Sequence, residues 1–256
     1  MSELALTALL PSLDPTLVMI ICVIFLFAGI VKGFLGIGLP AAAMALLTLM
    51  ISPTEAISLL WLPIVFTNIF QFGRAPDKRG IITDYIWFAV PLAASIFITS
   101  LFISDYPTAL LTVAIGGAMV IFSVNLLFGV TLPIGPGLVW QWAFGIISGV
   151  LGGLSSIWSP PVAMYLIARD TPKERFIGAA GFLFLAGCVP LGVGLIMASL
   201  ITWTVIVKSS LGLVATLIGF RIGEIMRTRV SQDRFRQIVL IAFLIMGTRL
   251  IAIGLF

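Results

Sequence analysis

Long apolar runs separated by short polar loops dominate the chain. A hydrocarbon core of roughly 30 Å takes about 20 apolar residues in a helix. Asp84–Ile103, Thr108–Phe128, Phe176–Leu200 and Trp203–Gly223 meet that length, as does Arg236–Phe256 if Arg249 is tolerated. Glu55–Phe72 is slightly short and still reads as a span. Two runs do not fit: Thr16–Ile51 and Leu138–Ala168 are too long for one helix and too short for two. Glycine and proline interrupt them, at Gly33–Pro40 and at Gly149–Pro161. In a helix interior glycine costs roughly 1 kcal/mol and proline about 3. The pattern therefore predicts a helix–break–helix hairpin in each run, within an all-α polytopic membrane protein.

The two hairpins resemble each other. Gly29-Ile30-Val31-Lys32-Gly33-Phe34-Leu35-Gly36 lies over Gly145-Ile146-Ile147-Ser148-Gly149-Val150-Leu151-Gly152 with five of eight positions identical. Downstream, Pro53-Thr54-Glu55 lies over Pro172-Lys173-Glu174 after a small shift of register. This predicts two repeats, 1–128 and 129–256, each a broken hairpin followed by three transmembrane helices. Loop charge gives their relative sense, because cytoplasmic loops are enriched in lysine and arginine. Gly73–Gly80, Arg169–Arg175 and Arg227–Arg236 are basic, whereas their counterparts Ser199–Thr202, Ser52–Glu55 and Ser104–Pro107 carry no lysine or arginine. Opposed basic and cation-free loops predict inverted repeats, with both termini outside the cytoplasm.

Composition narrows the class further. Of 256 residues, 61% are hydrophobic and only 9% charged, against about 25% charged in a soluble domain; mean hydropathy is +1.23. The net charge of +4 belongs to the loops, so no nucleic-acid partner is expected. Met1 to Thr16 carries Glu3 and Asp14 and no basic region, and does not read as a cleavable leader. Cys22 and Cys188 both lie in apolar runs, which argues against a disulfide or a metal site. The chain has no histidine, which removes histidine metal sites, Ser-His dyads and histidine proton relays. No catalytic function or cofactor is expected.

With these motifs in place, the chain resembles the sulfite exporter TauE/SafE family. The likeness rests on the duplicated G-I-x-x-G-x-L-G stretch with proline beyond it. It rests equally on Ile218-Gly219-Phe220-Arg221-Ile222-Gly223-Glu224, then Ser231-Gln232-Asp233-Arg234-Phe235-Arg236 and Met246-Gly247. The resemblance implies a bacterial inner-membrane transporter for sulfur oxyanions or organosulfonates, such as sulfite, thiosulfate or sulfoacetate. Members differ in substrate and direction. The second break, Gly152-Gly153-Leu154-Ser155-Ser156-Ile157-Trp158-Ser159-Pro160-Pro161, is longer and more polar than its first-repeat counterpart.

Unwound backbone is tolerated in a membrane only inside protein or beside water. Inverted-repeat transporters place such breaks near the midplane, with half-helix N-termini towards anionic groups. Pro40 and Pro160 or Pro161 suit the first helical turn, and each arm would bring roughly half a positive elementary charge to its break. Gly36 and Gly38 in the first break, and Ser155, Ser156 and Ser159 in the second, are candidate contacts for a small anion. The bland alternative is close helix packing by small residues. Lys32 is a candidate cation, or else reaches for the cytoplasmic surface. Lys208, inside the penultimate span beside Ser209 and Ser210, is the stronger candidate. Trp61, Asn68 and Gln71 share a helix face, so Asn68 and Gln71 either line a cavity or bond between helices. Trp158 either gates the site or packs. Arg221 and Glu224 read as a surface pair.

Energy coupling has no obvious carrier, because Glu55, Asp84, Asp105, Asp170, Glu174 and Glu224 all fall near predicted helix ends. The expected partners are a small anionic substrate and the lipid bilayer, with a homodimer left open. Two other functions remain on the table. One is a small-anion channel, separable by unitary currents. The other is a retinal-type photoreceptor with a lysine Schiff base, disfavoured because Lys208 lies in the penultimate span without an aspartate at depth.

Overall fold

The computed structural model describes residues 14–129, 134–135, 137–229 and 232–256. The stretch before residue 14, Ser231, and the side chains of Arg229, Asp233 and Arg234 lie outside the described residues. Ten helices and no strands make up the described chain. They are α1 (Pro15–Leu35), α2 (Leu39–Leu47), α3 (Pro53–Gly73), α4 (Lys78–Leu101), α5 (Thr108–Phe128), α6 (Leu138–Ser155), α7 (Ser159–Ala168), α8 (Lys173–Met197), α9 (Trp203–Arg229) and α10 (Gln232–Leu255). Eight are long and apolar enough to cross a membrane; α2 and α7 are the short arms of the two hairpins. Several helices begin or end beyond the apolar runs, at the basic loops. There polar residues cap them: Asp77 accepts from the Gly80 N–H at the start of α4.

The helices pair in a two-fold pattern. α1 packs along α9 and α6 along α4; α4 meets α8, and α9 meets α3; α3 also meets α8, and α5 meets α10. Shifting every label by five maps each pair onto another of the set or onto itself. Small residues make the closest crossings. Gly29 and Gly33 of α1 face the α9 backbone at Thr216 and Phe220, and Gly219 and Gly223 of α9 face α1 at Leu26 and Ile30. In the other half, Gly145 and Gly149 of α6 face the α4 carbonyls of Phe88 and Leu92. A Cβ on Gly149 would stand 2.5 Å from the Leu92 oxygen, too close without moving backbone. Gly149→Ala should therefore separate α4 from α6 at a cost of about 1–3 kcal/mol, the range for overpacking. An unchanged melting temperature in detergent would contradict this crossing.

These contacts correct the extent of the breaks. Gly33, Gly149, Gly152 and Gly153 are helical, and their glycine character serves packing. The breaks themselves are short, Gly36–Gly38 and Ser156–Trp158. Gly36 ends α1 at φ +81°, its N–H returning to the Lys32 carbonyl, and Gly38 precedes α2 at φ +96°. Both conformations favour glycine. Ser156 ends α6 at φ 57° with its N–H on the Gly152 carbonyl. The second break thus starts about one turn later than the glycine alignment implies.

Proline inside a span shapes a further contact. Pro63 in α3 has no N–H to give the carbonyl four residues back. That carbonyl, of Leu59, accepts the Ser209 hydroxyl of α9 at 2.7 Å. One residue earlier, Lys208 pairs with Glu55 at 3.0 Å. Together they tie α9 to the beginning of α3.

Candidate functional site

The two breaks meet. A space at their junction is lined by Gly38 of the first break and Pro40 in the first turn of α2, by Trp158 of the second break and Ser159 at the start of α7, and by Lys32 and Asn68 from α1 and α3. Ile64 and Phe184 complete its apolar wall. Its volume is about 10 Å³, room for roughly one water. The breaks are adjacent as the sequence predicts, but in this conformation the space between them is closed to an oxyanion.

Lys32 is the single charged side chain on this wall. It is 2% exposed and donates to the Asn68 side-chain oxygen. The Phe184 ring lies 5.8 Å from its ammonium. Asn68 is oriented in turn by a contact from its amide nitrogen to the Cys188 sulfur at 3.9 Å. None of the ion pairs among the described residues includes Lys32. A buried ammonium without a counter-charge costs several kcal/mol, and a bound anion would offset that.

The second break adds neutral donors. Trp158 and Ser159 are 2% and 3% exposed, and the Trp158 indole N–H and Ser159 hydroxyl have no hydrogen-bond partner among the described residues. Buried donors are normally paired. Pro160 and Pro161 follow directly, so Ser159 alone of the first three α7 residues keeps a backbone N–H. Hydroxyl and indole donors thereby stand where amides are missing. The Trp158 ring is lodged between glycines: a Cβ on Gly152 would meet it at 2.9 Å, and one on Gly187 at 3.3 Å.

A larger vestibule of about 170 Å³ reaches Lys32 from the side of the basic loops. Lys32, Gly36 and Gln71 line it, together with Arg74, Arg227 and the carboxylates Glu174 and Glu224. Arg74 pairs with Glu224 at 2.6 Å, and Glu224 also holds Arg221 at 3.0 Å. This is the end that carries the basic loops Gly73–Gly80, Arg169–Arg175 and Arg227–Arg236. Lys32 borders both the vestibule and the central space, and Asn68, which accepts its hydrogen bond, borders the central space.

Residues 21–250 match the sequence profile of the sulfite exporter TauE/SafE family. The chain belongs to that family. No curated protein and no solved structure matches it significantly. TauE/SafE proteins are membrane transporters, and the eight apolar spans make this chain a multi-pass member.

The residues singled out in the sequence fall in different places in this TauE/SafE chain. Lys32, Gly38, Pro40, Asn68, Trp158 and Ser159 surround the central space. Gly36 and Gln71 line the vestibule, where the Gln71 amide also donates to the Ile177 carbonyl at 2.7 Å. Ser155 serves the break backbone, donating to the Leu151 carbonyl and accepting from the Ile157 N–H. The buried Ser156 hydroxyl has no partner among the described residues and is not part of the central wall. Lys208 is not brought to the breaks: its ammonium is engaged by Glu55, near the start of α3. Trp61, on the face shared with Asn68 and Gln71, donates to the Cys188 carbonyl at 2.9 Å. Sequence reasoning missed Phe184 and Ile64, which carry no signal beyond apolarity. It took Arg227 only as part of a basic loop, and Arg74 likewise.

Proposed function

We propose that this protein is a secondary transporter of a small sulfur-containing oxyanion or organosulfonate in a bacterial inner membrane. The two halves, 1–128 and 129–256, act as inverted repeats whose breaks form one central site. The observation that carries this reading is Lys32: an ammonium buried without a carboxylate, between a cytoplasmic vestibule and a space lined by both breaks. An anion entering from the vestibule displaces Asn68 from Lys32 and gains the Ser159 hydroxyl and the Trp158 indole. Closure of the vestibule and movement of Trp158 away from Gly152 and Gly187 then expose the site to the other side. The two-fold pairing of helices supports a rocking of equivalent elements about the site.

The closed central space argues for a carrier over an open channel. Saturable flux of labelled sulfite, thiosulfate or sulfoacetate into proteoliposomes, without unitary currents in planar bilayers, is the expected behaviour. Ser159→Ala should weaken binding of the best substrate by about 0.5–1.5 kcal/mol, roughly two- to tenfold, the worth of one neutral hydrogen bond. Lys208→Gln should leave that affinity unchanged, because its partner is Glu55. The opposite ranking would move the site away from the breaks.

A further inference from the structure

Outside the candidate site, a groove of about 380 Å³ runs between α1, α2 and α10 and is lined by apolar side chains alone. Ala42, Ala45 and Phe243 form its buried floor, and Val23 stands at the rim, 60% exposed. In a bilayer, hydrocarbon fills such a hollow, and that by itself selects no particular lipid. Selection comes from the cytoplasmic end of the same helix face. Arg236 precedes Val239 by three residues and Phe243 by seven, so the three lie on one side of α10. Arg236 donates to the Leu126 carbonyl at the end of α5. With Lys173 and Arg227 it lines a second cavity of about 240 Å³, whose other described walls are apolar and include no carboxylate. Phe34 of α1, on the wall of this second cavity, has its ring centroid 4.2 Å from that of Phe235, the residue before Arg236 on α10.

We propose that these hollows form one site for an anionic phospholipid of the inner leaflet. Its phosphate lies on Arg236, Lys173 and Arg227, and one acyl chain follows the α10 groove over α2. Basic pockets between helices at the cytoplasmic side suit anionic headgroups, and a phospholipid with its own cation leaves less net charge for three basic side chains. The position links the lipid to the first break. Leu35 and Ile37, on the headgroup cavity, flank Gly36, which lines the vestibule; Arg227 and Ile177 border both cavities. The acyl chain rests on α2, the half-helix that starts at the break. A bound anionic lipid therefore braces the first break from behind.

Native mass spectrometry of the full chain with phosphatidylglycerol or phosphatidylcholine tests this. One phosphatidylglycerol per chain should survive activation that strips phosphatidylcholine. Each cation beside an anionic headgroup is worth about fivefold in affinity, so Lys173→Gln with Arg236→Gln should weaken retention roughly thirtyfold. Both glutamines keep donors for local hydrogen bonds, and an unchanged melting curve establishes that the double variant is folded. Val23→Trp, at the exposed rim, should displace the acyl chain while leaving the cations in place. Equal retention of the two lipids, or full retention in the double variant, would overturn the proposal; full retention in Val23→Trp would overturn the placement of the chain. Inorganic phosphate should fail to compete, and competition by it would identify a free-anion site instead. None of these readouts depends on the transported substrate.

Discussion

Lys32→Gln should abolish most substrate binding while leaving the fold at least as stable. Removing one partner of a buried charge pair costs 2–5 kcal/mol or more, at least about thirtyfold in affinity. Stability moves the other way. The wild-type ammonium is 2% exposed with an amide and an aromatic ring for company and no carboxylate. Glutamine keeps a donor for Asn68 and removes the charge from a dry position, so the empty protein should melt no lower than wild type. Calorimetric titration with the best substrate, beside a melting curve of the apo form, reads both quantities. Wild-type affinity in Lys32→Gln would remove the central site; lost affinity with a collapsed melting temperature would make Lys32 a structural residue.

Asn68→Asp is the sharper variant, because it changes the acceptor that holds Lys32 into a carboxylate paired with the ammonium. Two unit charges 4 Å apart interact with about 4 kcal/mol at an effective dielectric of 20, a factor on the order of a thousand. The new carboxylate attracts the ammonium that the substrate needs and repels the substrate itself. Binding should fall by a factor approaching that figure, the apo protein should gain stability, and transport should stop. Asn68→Ala, which frees the ammonium without replacing its partner, should alter affinity only severalfold. If Asn68→Asp transports like the wild type, Lys32 is not the substrate's cation. If Lys32→Gln fails while Asn68→Asp does not, the cation matters and its tether does not.

The sequence and the structure agree on particular elements for identifiable reasons. The spans and both hairpins were legible because a bilayer imposes length and apolarity on every crossing, and glycine with proline stands out against that background. The repeated glycines were legible as a pattern and ambiguous as to purpose. Gly36 and Gly38 hold the positive φ angles of the first break, whereas Gly29, Gly33, Gly145 and Gly149 let helices cross. Both uses select glycine, so composition does not separate them. The Arg221–Glu224 pair was visible because three residues bring side chains together on a helix; the second grip of Glu224, on Arg74, was not.

By itself, the chain determined an all-helical membrane protein with six spans and two broken hairpins, and its TauE/SafE membership. Those properties follow from local chemistry: apolar length, turn residues and motif order. Tertiary structure alone decided which lysine stands at the breaks. Lys32 and Lys208 look alike along the chain, each an ammonium within an apolar run. Glu55, 153 residues before Lys208, engages one, and Asn68, 36 residues after Lys32, holds the other beside the second break. Pairing between distant segments is set by how the helices pack, and no periodicity along the chain records it.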